Sequence, residues 1–150
     1  MTNTSNGFNG MARRILAGVL LCLPLFAHAA IAVVVVVGAN SPAAKLSADQ
    51  VGQLFLAKTT ALPGAGQAVL IDQAEGTPVR DAFYVGATGK SAAQVKALWS
   101  RLVFSGSAQL PLALASSAEV KKHVNANPNA IGYIEASEVD ASVKVLLTIN

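Results

Sequence analysis

Val33-Val-Val-Val-Val-Gly-Ala-Asn-Ser-Pro-Ala-Ala-Lys-Leu-Ser-Ala-Asp-Gln-Val-Gly-Gln-Leu-Phe-Leu-Ala-Lys58 is the stretch on which the fold turns. The valine run is too short for a buried helix of ordinary length, and β-branched side chains favour extended backbone. Val33 to Val37 therefore reads as a strand covered on both faces, as in parallel sheets flanked by helices. Gly38 to Pro42 has the composition of a turn. Ser47-x-x-Gln50 then fits a capping box, in which the serine oxygen accepts an N–H of the first turn and the glutamine side chain reaches back. A strand, a turn and a helix are specified within this one segment.

The same signals recur downstream. Ser91-x-x-Gln94 and Ser116-x-x-Glu119 fit two further capping boxes, and Thr77-Pro78 reads as an N-cap followed by a proline at the first helical position. After Ser91, the residues Val95, Leu98, Trp99, Leu102 and Val103 recur at the spacing of one apolar helical stripe and are expected in the core. Val79, Ala82 and Phe83 give the helix after Thr77 its buried face. Ala68 to Ile71, Ile131 to Ile134 and Val143 to Ile149 read as strands, with turns at Leu62 to Gly66 and Asn127 to Asn129. Strands alternating with helices predict an α/β layer architecture: a central, mostly parallel or mixed sheet flanked by helices. No internal repeat, low-complexity tract or interdomain linker interrupts it.

Residues 1–29 read as an N-terminal extension and signal peptide, and residues 30–150 as one domain. Arg13-Arg14 supply a basic region, Ile15 to Phe26 an apolar one, and Ala27-His28-Ala29 a small-x-small cleavage site. An uncleaved anchor is the rival reading, since the apolar stretch can be counted from Ile15 to Val37, long enough to span a bilayer. Pro24, His28 and the cleavage motif interrupt it, so the expectation is cleavage, a periplasmic product and no stable membrane anchor. Cys22 is not preceded by a small residue, which argues against lipid attachment there.

The chain carries 11 Lys+Arg against 8 Asp+Glu. Arg13 and Arg14 leave with the signal, so the mature part is close to neutral and has no electrostatic footprint for nucleic acid. The single cysteine leaves too, so neither a disulfide nor a thiol site is expected. Nothing in the sequence fits catalysis or a cofactor. There is no G-x-S-x-G elbow, no phosphate loop followed by Lys-Ser/Thr, and no zinc-ligand spacing. His123, four residues after Glu119, reads as one half of an exposed helical pair. Tyr133, opposite Gly132 and Ile134 along its strand, reads as core packing.

Four motifs in order, the valine strand with its Gly-Ala-Asn-Ser-Pro turn, Ser47 to Lys58, Glu75-Gly-Thr-Pro78 and Asn129-Ala-Ile-Gly-Tyr-Ile-Glu135, resemble one lobe of the phosphate-type periplasmic solute-binding proteins of ABC importers. The resemblance runs from about Ile31 to the C-terminus. It implies a single periplasmic-binding-protein-like (type II) lobe and non-covalent binding of phosphate or a related small anion. In that family a Phe-Leu-Gly-Lys-like sequence ends the first helix, here Phe55-Leu56-Ala57-Lys58, and a Ser-Gly-Thr turn opens the helix that holds phosphate, with an arginine four positions before the Ser.

This chain keeps Gly76 and Thr77 of that turn. Glu75 stands in the serine position, Ile71 in the arginine position, and Pro78 removes one N–H donor. Glu75, Gly76 and Thr77 are thus the candidate ligand-binding residues. A glycine before a helix start lets backbone approach a ligand, and the free N–H groups of the first turn form an anion site. A carboxylate there repels phosphate, so phosphate itself is expected to bind weakly or not at all. Two alternatives remain at Glu75: an ordinary surface acid near a helix start, or a side chain that folds over that start and occupies the anion position itself. If the acid blocks a latent anion site, Glu75→Ser is expected to create oxyanion binding, and Ile71→Arg added to it to strengthen that binding. Two-lobed binding proteins trap a ligand by closing one lobe on the other. A single lobe needs a second copy, an importer component or another envelope protein to supply the missing wall. A periplasmic protein-interaction or sensor module that has lost its ligand is the competing reading.

Overall fold

The structure is a computed structural model and describes residues 30–150. The expected signal peptide and its cleavage site lie outside the described residues. Strand β1 (Val33–Gly38) sits inside a five-stranded sheet with β4 (Val69–Gln73), β5 (Leu112–Leu114), β6 (Ala130–Glu135) and β7 (Val143–Ile149). The strand order is β5-β4-β6-β1-β7, and β2 (Ala61–Leu62) and β3 (Gly66–Gln67) form a separate small hairpin. β4 runs parallel to both β5 and β6, whereas β1 is antiparallel to both β6 and β7. The sheet is mixed. The valine run is a strand covered on both faces, as its composition indicates, but in an antiparallel setting: burial selects the apolar side chains, and burial does not distinguish strand direction.

Helices α1 (Ala48–Phe55), α2 (Pro78–Thr88) and α3 (Ala92–Phe104) pack on one face of the sheet, and α4 (Ser117–Ala126) on the other. Alternation along β1 feeds the two layers. Val33, Val35 and Val37 join Phe55, Phe83 and Val95, while Val34 and Val36 join Val120 and Val124. Two glycines set the spacing. A Cβ on Gly132 would lie 2.8 Å from Val120 Cγ1, so the bare backbone of β6 lets α4 close on it. A Cβ on Gly52 would lie 2.6 Å from the Ala87 carbonyl oxygen, at the α1–α2 crossing.

Ser47 and Ser91 form both halves of their capping boxes. At Ser116 only one half forms: its hydroxyl accepts from Glu119 N, but the Glu119 carboxylate accepts from Ala115 N rather than from the cap. That bond also removes Glu119 from the expected pair with His123. The α3 stripe is core at Val95 and Trp99, half-buried at Leu98 and Leu102, and exposed at Val103. Ala57, where the resembled family carries glycine, has φ +56°, the left-handed region that a Cβ disfavours. The chain reverses at that point after α1.

Candidate functional site

The turn after β4 is built as a glycine turn should be. Gly76 has φ +81°, and no atom lies within 4 Å of where a Cβ would stand. Thr77 occupies the N-cap position of α2, but its hydroxyl donates back to the Ala74 carbonyl at 2.9 Å and makes no cap bond to the helix. The expected threonine cap is therefore absent. Pro78 takes the first helical position and gives up one donor, and Gly76 frees the hydroxyl to close the turn behind it.

Glu75 does not fold over the helix start. It is exposed and accepts from Lys96 Nζ at 2.8 Å on α3. That bond holds its carboxyl below the ordinary range against the opposing effect of desolvation, and the charges of Lys96 and Arg80 add to the lowering. Both partners are mostly in water, where such a pair contributes little. Ile71, in the position of the family arginine, is fully buried against Val120 and Val124 beneath α4. An arginine there would enter the core unpaired, so the expected strengthening of oxyanion binding by Ile71→Arg is corrected to a loss of folding.

Of the three candidate residues, Thr77 alone lines a cleft. That cleft, of about 360 Å³, is walled by Gln73, Thr77, Pro78 and Val79 on one side and by the Ala115–Ala118 segment on the other, with Glu135 and Glu138 completing it. Both α2 and α4 begin at it. The cleft thus collects two helix starts: the Arg80 and Glu119 N–H groups are taken by the Thr77 carbonyl and Ser116 Oγ and Pro78 has none, which leaves those of Val79, Ser117 and Ala118 without an acceptor among the described residues. A larger groove of about 560 Å³ lies elsewhere, between α3 and the β4–β5 edge, and is mostly apolar. Among the described residues no group of three or more His, Cys, Asp or Glu could hold a metal ion.

Beneath the cleft lies a polar cluster. Asp72, at the buried end of β4, accepts four hydrogen bonds: from Tyr133 Oη and Gln73 N (2.8 Å) on Oδ1, and from Arg80 Nε (3.2 Å) and Tyr84 Oη (2.8 Å) on Oδ2. Arg80 also lies over the Tyr84 ring, 5.1 Å from its centroid. Phe83 stacks on Tyr133 at 3.8 Å, so the cluster is roofed by aromatic rings. Four donors fill the acceptor sites of a carboxylate. With no lone pair left to take a proton from a substrate, Asp72 ties α2 to β4 and β6 rather than acting as a base.

Tyr133 is therefore more than the packing residue its alternation suggests. Sequence reading missed Asp72, Arg80 and Tyr84. One signal was available: Arg80 and Tyr84 are four apart on α2 and adjoin Val79 and Phe83, so both must lie along a buried face.

Burial raises both tyrosines far above the ordinary phenol range, and the negative charge of Asp72 raises them further. The unfolded chain releases these protons near pH 10 while the folded one keeps them, so their contribution to stability is intact below that pH and is lost as pH rises above it. Alkaline titration should show both phenols, the only two in the chain, ionising together with unfolding. Phenolate absorbance appearing near pH 10 with circular dichroism unchanged would contradict this.

No protein-family model matches the chain, and no curated protein matches it in sequence. Solved structures do match. One is a Clostridium perfringens protein assigned as a phosphate ABC transporter substrate-binding protein, with bound phosphate: TM-score 0.61, 24% identity, covering 77% of this chain and 45% of that one. A second is an ABC-type phosphate transport receptor from Vibrio cholerae, with TM-score 0.59, 17% identity and the same coverage. A third, assigned as phosphate-binding, is from Planctomyces limnophilus DSM 3776, with TM-score 0.53 and 14% identity over 78% of this chain and 42% of that one. The chain has a periplasmic-binding-protein-like fold. It spans less than half the length of these solute-binding proteins.

Proposed function

We propose that this chain is an exported, non-catalytic solute-binding lobe that holds the oxyanion group of a small ligand in the cleft between the starts of α2 and α4. The observation carrying this reading is the convergence of two helix N-termini, at Thr77 and Ser116, on one cleft. Helix starts stabilise negative charge through their free N–H groups and dipoles. The likeness to phosphate-binding solute-binding proteins supports it at the level of fold, and the filled carboxylate of Asp72 argues against acid–base chemistry in the cluster beneath.

Inorganic phosphate is a poor fit. No lysine or arginine lines the cleft, while two carboxylates do. The test is equilibrium titration of the purified protein with phosphate, sulfate and small carboxylates. Saturable binding by at least one is expected, with phosphate weaker than micromolar. Ser117→Asp places a negative charge in the cleft at a helix start that tolerates it, and should abolish oxyanion binding without lowering thermal stability. Submicromolar phosphate binding, no binding by any member, or binding indifferent to Ser117→Asp would each contradict the reading. In the case of no binding, the competing reading of an envelope interaction module gains support from Phe104, Leu110 and Leu112, which are exposed apolar side chains.

A further inference from the structure

We infer that the ligand of this cleft is a small zwitterion, carrying an ammonium group as well as an oxyanion. The inference rests on the cleft reading above and narrows it to a ligand class.

Its starting point is Gln73, which is 3% exposed and lines the cleft. The Gln73 amide nitrogen lies 3.0 Å from the Tyr133 carbonyl oxygen. A carbonyl only accepts, so the orientation of the amide is fixed. The nitrogen spends its second proton on Ser117 Oγ at 3.3 Å. The amide oxygen, Oε1, receives no hydrogen bond from the described residues, and yet none of their fully buried polar side-chain atoms lacks a partner. Oε1 is therefore not sealed in the core, and the cleft is the surface that Gln73 lines, where this acceptor has no donor from the described residues.

Two more acceptors share that cleft. Glu135, half-buried at the end of β6, makes no side-chain ion pair among the described residues. Glu138 stands 4.0 Å from Lys121 Nζ, an ammonium that also donates to Asp140 at 2.7 Å and to the Glu138 carbonyl at 2.9 Å, so the Glu138 charge is already partly met. An amide oxygen and the unpaired Glu135 carboxylate, with no cation among the lining residues, call for a donor bearing positive charge. The helix starts across the cleft supply N–H groups for negative charge. One small molecule satisfies both only by carrying both charges, and a cleft of about 360 Å³ accepts one of amino-acid size.

The probes are glycine and 2-aminoethyl phosphate as zwitterions, inorganic phosphate and ethanolamine as the separated halves, each titrated calorimetrically into the purified protein. At least one zwitterion should bind at least about tenfold more tightly than either half, the size of effect one charge-assisted hydrogen bond gives. Glu135→Gln should weaken that zwitterion by about tenfold or more and leave phosphate unweakened; Glu138→Gln replaces it in the test should Glu135→Gln lower the melting temperature.

If phosphate matches the zwitterions, or ethanolamine alone does, the ligand class is wrong. The same conclusion follows if Glu135→Gln changes nothing. Oxyanion binding that Ser117→Asp abolishes, with no preference for zwitterions, would overturn the ligand class and leave the cleft reading standing. No binding by any of the four, together with none by the sulfate and carboxylate panel, would overturn both.

Discussion

Asp72→Ala should leave the protein largely unfolded at ambient temperature. The substitution strands the Arg80 guanidinium, whose side chain is 9% exposed, without its counter-charge, and removes the acceptor of two buried phenols. Breaking a buried ion pair by removing one partner costs about 3–5 kcal/mol, and the two orphaned hydroxyls add to it. A domain of this size has about 5–15 kcal/mol in total. Asp72→Asn should be nearly as harmful, since an amide nitrogen placed among four donors can accept from none of them. The discriminating variant removes both charges together: Asp72→Leu with Arg80→Met should be less damaging than either single change. Urea denaturation measures this series, and a loss under about 1 kcal/mol for Asp72→Ala would show that the cluster does not hold α2 to the sheet.

Trp99→Ala is the second large effect expected. Trp99 is 5% exposed, and its indole N–H donates to the Phe55 carbonyl at 3.0 Å, closing the otherwise open end of α1. Truncation empties a large aromatic volume, for which about 3–5 kcal/mol is usual, and also leaves that carbonyl without its donor. Trp99→Phe keeps most of the volume and loses the bond, so its smaller loss separates the two contributions. Chemical denaturation with a loss under about 1 kcal/mol for Trp99→Ala would mean that α3 does not anchor this side of the core.

How much of this was legible in the sequence follows the range of the forces involved. The caps at Ser47 and Ser91 and the strand at Val33 to Val37 are decided within a few residues, and they stand where the sequence places them. The direction of β1 depends on partners about a hundred residues away, and valines carry no record of whether a neighbour runs parallel or antiparallel. The cleft was half legible. Thr77 and the start of α4 could be read from local signals, but Glu75 was drawn away by Lys96, twenty-one positions on in α3. Gln73 and Glu135 became site residues only when β4 and β6 came side by side. Asp72 fell one position past the strand as read, and nothing local marked it, because its four donors arrive from a neighbouring amide and three side chains on α2 and β6.

The place of β1 in the sheet has a consequence for how the chain matures. Val33 pairs with Glu135 on one side and with Ile149 on the other, so the first strand obtains both of its neighbours from the final fifth of the sequence. Until those residues are available, the valine run has two open edges, a condition in which apolar strands seek other chains. Pairings this distant make for slow closure. A sheet whose middle strand waits on partners this distant stays open at its centre until they arrive, while the residues between are being made.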